Sequence, residues 1–217
     1  PEAAPHTPEA AAIPGSPDRP PAPRFSVVVP SLGRAEEPAR LFDSLYRQSL
    51  TDFEVILVDQ NADDRLAGLA DEASRRLSAR HQAFRRLRAP AAGAARARNV
   101  GAAAAGGEIL LWPDDDAWLP PDLLERAQGV FAAHPGLPAA IGVLIDERGR
   151  PHDRFAPTQP GPAGLMDAFT RAAEPALFFR RAVFEGLGGF DERLGTGAGT
   201  PWGAGEGADL VMRALQV

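Results

Sequence analysis

The sequence contains neither cysteine nor lysine, and all 23 of its basic residues are arginines. Without cysteine the chain can form no disulfide and no zinc–thiolate centre, and it has no thiol nucleophile. Without lysine it has no amine for Schiff-base chemistry and no phosphate-loop lysine. Any metal must therefore be held by oxygen or imidazole ligands, which favours a hard divalent cation.

The sequence also lacks an excess of positive charge and has no long apolar run. The formal net charge is -6, which argues against a surface that collects the phosphates of a nucleic acid. No apolar stretch reaches the roughly 20 residues that a membrane-spanning helix needs. We therefore expect no nucleic-acid partner and no transmembrane segment.

The chain has enough apolar residues for one sizeable core, since 44% of its 217 residues are hydrophobic. Residues 1–24 differ from the rest because they hold eight of the 22 prolines. They also lack the basic and apolar regions of a signal peptide. This composition predicts a disordered Pro/Ala-rich tail over 1–24 and a folded domain over 25–217.

Apolar runs and amphipathic helical patterns alternate along the folded part. The runs FSVVVP, FEVILVDQN and EILLW are typical of strands buried on both faces. Helical patterns separate them, and an Ala-rich segment between Gly93 and Gly107 has the small side chains that suit close packing on a sheet. The alternation predicts an α/β fold, a three-layer sandwich with helices on both faces of a mostly parallel central sheet. The second half is less regular, with strands predicted in AAIGVLID and ALFFR and a last helix near Glu206.

Three predicted strands end in polar residues. These ends are Pro30-Ser31, Asp59-Gln60-Asn61 and Asp114-Asp115-Asp116. In an open parallel sheet, ligands bind outside the carboxyl ends of the strands, so we expect the three ends to share one crevice. Asp114 and Asp116 can point to the same side of an extended segment, one towards a metal and the other towards a sugar hydroxyl or a metal-bound water.

Each of these residues also has an ordinary structural explanation. The three aspartates can form a solvated turn that caps the following helix. Asp59 can be a turn residue, and Arg34 and Arg98 can be surface charges. The functional interpretation depends on their joint placement at successive strand ends.

Five blocks of the sequence resemble, in order and spacing, the motifs of one enzyme family. The blocks are VVVPSLGR, VILVDQN, ARNVG, the aspartate triplet, and FDERLG with GEGADL. Together they resemble the family 2 glycosyltransferases of GT-A (Rossmann-like) fold, inverting enzymes that use nucleotide-sugars. The resemblance covers about residues 25–215. It implies a nucleotide-binding half over about 25–118 and an acceptor-binding half over about 119–217.

The resemblance also implies a donor site. The residues expected to bind the nucleotide-sugar are Pro30, Ser31, Arg34, Asp59, Arg98, Asn99, Asp114 and Asp115. Among them Asp59 is expected to read the base, Asp114 to bind the ribose or sugar, and Asp116 to hold a divalent metal, Mn²⁺ or Mg²⁺. Such a cation offsets the charge that develops on a departing nucleoside diphosphate.

The general base is where this chain departs from the family pattern. Many relatives carry Glu-Asp followed one residue later by Asp-Leu, but here Gly207 stands at the common catalytic aspartate position. Glu206 and Asp209 remain, three residues apart on one helix face. We expect Glu206 rather than Asp209 to take the acceptor proton. The structural alternative is that Glu206 favours the helix N-terminus and Asp209 pairs with Arg213.

The aromatic residues near these motifs have different expected places. Trp112 precedes the aspartates in a strand and is expected in the core, whereas Trp202, in a glycine-rich loop, is the better candidate to stack on an acceptor sugar.

We therefore hypothesise that the chain is an inverting glycosyltransferase that moves a sugar from a nucleotide-diphosphate donor to a saccharide or lipid-linked acceptor. UDP-sugars are the favoured donors. The absence of an export signal in these residues and the cytosolic supply of donors predict a cytoplasmic location, compatible with peripheral membrane association. Two alternatives stay open: a non-catalytic nucleotide-sugar binding module and a sugar-1-phosphate nucleotidyltransferase. The second would require a glycine-rich loop with a lysine after the first strand, and PSLGR supplies none.

Overall fold

The computed structural model describes residues 23–89, 91–152 and 161–217. The predicted tail therefore lies outside the described residues, except for its last two. The strands are β1 (Phe25–Ser31), β2 (Phe53–Asp59), β3 (Phe84–Arg88), β4 (Ile109–Leu111), β5 (Ala139–Ile141) and β6 (Leu177–Arg180). The helices are α1 (Glu37–Tyr46), α2 (Ala67–Ser78), α3 (Ala94–Ala104), α4 (Leu123–Ala133), α5 (Leu165–Thr170), α6 (Arg181–Gly186) and α7 (Glu206–Ala214), with a 3-10 turn at Glu174–Ala176 before β6.

The six strands form one sheet in the order β3-β2-β1-β4-β6-β5. β1 pairs in parallel with β2 and with β4, and β2 pairs in parallel with β3. β6 is antiparallel to both of its neighbours, β4 and β5. The predicted mostly parallel sheet is confirmed, and β6 is its one reversed strand. The amino end of β6 therefore lies at the same edge of the sheet as the carboxyl ends of β1 and β4.

Helices cover both faces of the sheet, which confirms the three layers. One core contains apolar residues of α1, α2 and α4, and the other contains those of α3, α5, α6 and α7. All seven residues of β2 are buried, as its apolar run VILV predicts for a strand covered on both sides. Among the helices in the described ranges, none has the length and apolar character needed to cross a bilayer.

The Ala-rich helix α3 lies unusually close to the sheet. A Cβ atom added at Gly101 would lie 2.2 Å from Cγ1 of Val28 and 3.0 Å from Cγ2 of Val58. Small side chains on this helix thus allow the close approach that the sequence predicts, and Gly101 is required at the point of contact.

Two further details of the fold bear on the sequence-based expectations, one as a difference and one as a confirmation. The run AAIGVLID forms a strand only over Ala139–Ile141, because its partner β6 is four residues long and offers no further ladder. Trp112, just after β4, is fully buried and packs against the rings of Phe179, Phe184 and Phe190. Its predicted place in the core is confirmed.

Candidate functional site

A cavity of about 770 Å³ opens beside the carboxyl ends of β1 and β4. The strand order reverses between these two strands, and such a switch point is where open α/β sheets bind ligands. Its volume lies within the range of small-molecule sites. Seven of the predicted site residues line it: Pro30, Ser31, Arg34, Arg98, Asp114, Asp115 and Glu206.

Arg34 contacts both Asp115, which lines the cavity, and Asp116, which does not belong to the cavity lining. The Ser31 hydroxyl donates to Oδ2 of Asp115 at 2.5 Å, and the Arg34 guanidinium donates to the other oxygen. Arg34 also pairs with Asp116, its Nη2 lying 2.6 Å from Oδ2. The hydrogen bond with Asp115 is the main reason that the pKa of Arg34 is raised. Asp115 is therefore a buried, fully partnered carboxylate, whereas Asp116 is 47% exposed.

Arg98 of α3 joins two carboxylates from distant parts of the chain. Its Nη2 lies 3.1 Å from Oδ1 of Asp114, and its Nη1 lies 2.9 Å from Oε1 of Glu206. The guanidinium is buried, and its Nε has no hydrogen-bond partner among the described residues. Desolvation in the cavity raises the pKa of Asp114, and repulsion from Asp116 adds to the rise, so that together they outweigh the effect of Arg98. The carboxylates of Asp114 and Glu206 thus share the guanidinium of Arg98.

Asp114 and Asp116 are suited to bind a cation that a ligand also coordinates. In the part of the chain that the structure describes, no group of three or more His, Asp or Glu side chains forms a cation cage. Mg²⁺ is commonly held instead by one or two carboxylates together with substrate phosphates. Asp114 and Asp116 are 44% and 47% exposed, so both carboxylates are accessible to a cation. The residues therefore fit a hard divalent cation bound jointly with a diphosphate.

Asp59 and Asn99 lie next to the cavity in bonds that hold the fold together. Asp59 is fully buried; it accepts hydrogen bonds from the Asn61 backbone and from Arg86, whose Nη2 is 2.5 Å away. Burial opposes its ionisation, but these bonds prevail and its pKa is lowered. The Asn99 side chain exchanges two hydrogen bonds of 2.9 Å with the Phe190 backbone. Neither residue lines the cavity, and their roles in donor binding stay predictions.

The two candidate bases occupy different surroundings. Glu206 begins α7, lines the cavity and is only 8% exposed. Asp209 pairs with Arg213 at 2.7 Å, as the structural alternative predicts. Arg213 in turn donates to the backbone carbonyls of Leu187 and Gly189. Asp209 thereby helps to anchor the turn that follows α6.

Sequence reasoning missed Glu174, which also lines the cavity. Its Oε1 accepts the backbone N–H of Gly207 at 2.8 Å. Burial raises the pKa of Glu174, and repulsion from Glu206 adds to the rise, although Arg98 lowers it. Glu174 precedes a strand, so an inspection of polar residues at the carboxyl ends of strands does not find it. The Glu-Pro pair before ALFFR indicates a site residue only once β6 is known to be antiparallel to its neighbours.

Comparisons with known proteins agree with this geometry. The family model described as glycosyl transferase family 2 matches residues 26–185. The chain is 26% identical over 165 residues to poly(ribitol-phosphate) beta-N-acetylglucosaminyltransferase TarS of Staphylococcus aureus strain Mu50, covering 75% of this chain and 28% of that protein. The crystal structure of S. aureus TarS 1-349 in complex with UDP-GlcNAc has a TM-score of 0.67 at 25% identity, covering 88% of this chain and 53% of that one.

A second solved structure shares the fold at lower identity. Mannosyltransferase PcManGT from Pyrobaculum calidifontis, in complex with GDP-Man and Mn²⁺, has a TM-score of 0.62 at 23% identity, covering 88% of this chain and 52% of that one. The chain thus spans about half the length of these solved proteins and under a third of curated TarS. From the matched residues and the shared architecture, the chain belongs to glycosyl transferase family 2 and has the GT-A fold.

Proposed function

We propose that the cavity binds a nucleoside-diphosphate sugar and that the chain transfers the sugar, with inversion, to an acceptor hydroxyl. The observation that carries this proposal is the convergence of Arg34, Arg98 and the carboxylates after β4 on one cavity at the switch point. A UDP-sugar is the first candidate, because the similar S. aureus TarS was solved with UDP-GlcNAc.

The arginines give the donor side its chemistry. A diphosphate leaving group gains negative charge as the glycosidic bond breaks, and fixed cations in a desolvated site stabilise that charge. Arg98 retains an unused Nε–H, and Arg34 is held in place by Asp115. Ser31 and Pro30 form the adjoining wall at the end of β1.

Asp116, together with Asp114, would hold Mn²⁺ or Mg²⁺ at the same side. When bound, the cation would supply further neutralisation of the leaving diphosphate. The oxygen-only donor set supports this assignment, as does the presence of Mn²⁺ in the mannosyltransferase of the same fold. Without the cation, Arg34 compensates Asp115 and Asp116 but leaves Asp114 to Arg98 alone.

The acceptor would enter from the side of α5 and the loop before α7. Phe169 lines the cavity there, and Trp202 of the loop is 66% exposed, so aromatic faces are available to a sugar ring. A saccharide or lipid-linked saccharide matches these surfaces. Synthesis of a polysaccharide or cell-surface glycan, from cytoplasmic donors and with peripheral membrane association, is the biological setting that we propose.

A donor screen tests this function. Purified protein with Mn²⁺ is mixed with a panel of UDP- and GDP-sugars, and both the thermal shift and the release of nucleoside diphosphate are measured. We expect one donor to raise the melting temperature, since ligand at 100 times its Kd stabilises by about 2.7 kcal/mol, and to be cleaved. Binding of UDP without cleavage of any donor would instead support a non-catalytic binding module, which Gly207 at the common aspartate position favours.

A further inference from the structure

We propose that Glu174 is the general base of the transfer reaction, in the place left by the absent side chain of Gly207. The proposal rests on the glycosyl transfer proposed above and names the group that takes the acceptor proton. Glu174 comes from the turn before β6, not from α7 where the family motif lies, and it reaches the cavity because β6 is reversed.

The backbone at Gly207 leaves room for the Glu174 carboxylate and for nothing else. A Cβ atom at position 207 would lie 2.6 Å from Oε1 of Glu174 and 2.7 Å from the carbonyl oxygen of Ala172. A side chain at 207 would therefore displace the Glu174 carboxylate from its present position and would also meet the fixed carbonyl of Ala172. The Gly207 N–H fixes Oε1 at 2.8 Å, which leaves Oε2 as the proton acceptor. A carboxylate thus stands beside residue 207 although residue 207 carries none.

Glu206 is less suited to the role of general base because its carboxylate is already part of an ion pair. Its Oε1 is ion-paired with Arg98 at 2.9 Å, so this oxygen already accepts a charge-assisted hydrogen bond. The glycine-rich loop also packs on it, since a Cβ atom at Gly195 would lie 2.5 Å from that same oxygen. Glu206 therefore acts as a positioning residue that holds Arg98 next to Asp114.

Glu174 has the opposite surroundings. It forms no ion pair with any residue in the described ranges; the charged groups that influence it are Glu206, which repels it, and Arg98, which attracts it. Burial and the repulsion prevail, so its pKa is raised above the ordinary value for glutamate. A carboxylate with greater proton affinity is a better general base near neutral pH.

The step is a single displacement. The acceptor hydroxyl oxygen forms a bond to the anomeric carbon while the bond from that carbon to the diphosphate oxygen breaks. The bonding electron pair leaves with the diphosphate, and the hydroxyl proton passes to Oε2 of Glu174. When water replaces the acceptor, the same transfer of a proton accompanies donor hydrolysis.

The test compares Glu174→Gln with Glu206→Gln in steady-state release of UDP from UDP-GlcNAc, or from the donor that the screen selects, with Mn²⁺. Glu185→Gln is the matched control, because Glu185 is exposed on α6 and, among the residues that the structure describes, pairs only with Arg181. We expect Glu174→Gln to lower kcat by about 10² to 10⁴-fold and to leave the affinity for UDP within about twofold, since that loss is confined to the proton-transfer step. Glu206→Gln should raise KM and weaken UDP binding, because it releases Arg98.

The pH profile separates a base from a merely structural residue. The acid limb of kcat/KM in the wild type should disappear in Glu174→Gln and persist in Glu206→Gln. Glu174→Asp, one methylene shorter, should keep the limb at a reduced rate, which guards against a folding defect in the amide variant.

Two results would overturn the assignment of Glu174, and only one of them also overturns the proposed function. If the wild type releases UDP and Glu174→Gln keeps more than half of kcat with the same acid limb, Glu174 is not the base and the proposed function stands. If the wild type cleaves no donor, the proposed function is wrong, and the assignment of Glu174 as its general base is wrong with it.

Discussion

At the scale of single residues, the carboxylates at the strand ends differ in whether the fold already uses them. Asp59 receives hydrogen bonds from Arg86, Arg88 and Asn61. Asp115 is shared between Ser31 and Arg34, and Asp114 has Arg98 alone. A polar residue at a strand end can therefore be a structural anchor or a ligand-binding group, and its partners distinguish the two.

Asp59→Asn should lower the free energy of unfolding at pH 7 by about 1.5–3 kcal/mol, the range for hydrogen bonds to charged groups. The pKa of Asp59 is lowered on folding. Its stabilising effect is therefore complete above the ordinary value of 3.8 and is lost as the pH falls through the lower folded pKa. Urea denaturation should show the two proteins converging in acid. Unchanged stability with weakened UDP binding would instead favour the base-reading role.

Asp116→Ala should abolish Mn²⁺-dependent nucleotide binding in calorimetry without a loss of stability, because Asp116 is half-exposed and its one ion pair within the described part of the chain is with Arg34. Removing one of three adjacent carboxylates also relieves repulsion. Asp115→Asn is the contrasting variant, since it disturbs the bonds of Ser31 and Arg34 to a buried group and should lower the melting temperature. Metal dependence that survives in Asp116→Ala would exclude Asp116 as a ligand.

Much of the site could be predicted from residue types at strand ends, because the carboxyl ends of parallel strands must meet at one edge. Arg98 and Glu206 required the family resemblance, since their contact joins parts of the chain 108 positions apart. Glu174 could not be predicted by the strand-end rule, because that rule assumes the direction of each strand and β6 runs the other way.

At the scale of elements, α3 sets the distance between one helical layer and the sheet. Its contact with Val28 and Val58 depends on Gly101. The same helix carries Arg98 into the cavity, so the packing of α3 and the geometry of the donor side are linked.

Gly101→Ala should lower the free energy of unfolding by about 1–3 kcal/mol, the usual cost of overpacking a filled core. Gly129→Ala is the control, because a Cβ atom there meets nothing within 4 Å on α4. It should raise stability by about 0.4–1 kcal/mol by reducing the freedom of the unfolded chain. Equal effects of the two substitutions would contradict the close packing of α3.

The existence of the main helices and strands could be predicted from hydrophobic periodicity, because both faces of the sheet are covered. The ends of short elements could not. β5 ends at Ile141 because β6 provides no further partner, and this limit belongs to the neighbour and not to the sequence of β5.

At the scale of the whole molecule, the sheet order brings three kinds of group to one cavity. The ends of β1 and β4 supply arginine and carboxylate groups, α3 supplies Arg98, and the reversed strand with α7 supplies Glu174 and Glu206. The donor-side groups at the ends of β1 and β4 and the proposed base thus come from different parts of the chain. This division fits a reaction in which leaving group and nucleophile occupy opposite faces of one sugar.

Proton NMR of the sugar product tests the proposed inverting transfer most directly. The product is formed by the wild-type protein with Mn²⁺, the selected nucleotide-sugar and a saccharide acceptor. We expect a new glycosidic signal with the anomeric configuration opposite to that of the donor, together with stoichiometric nucleoside diphosphate. A product that retains the donor configuration, or bound nucleotide with no product from any donor, would contradict the proposed inverting transfer.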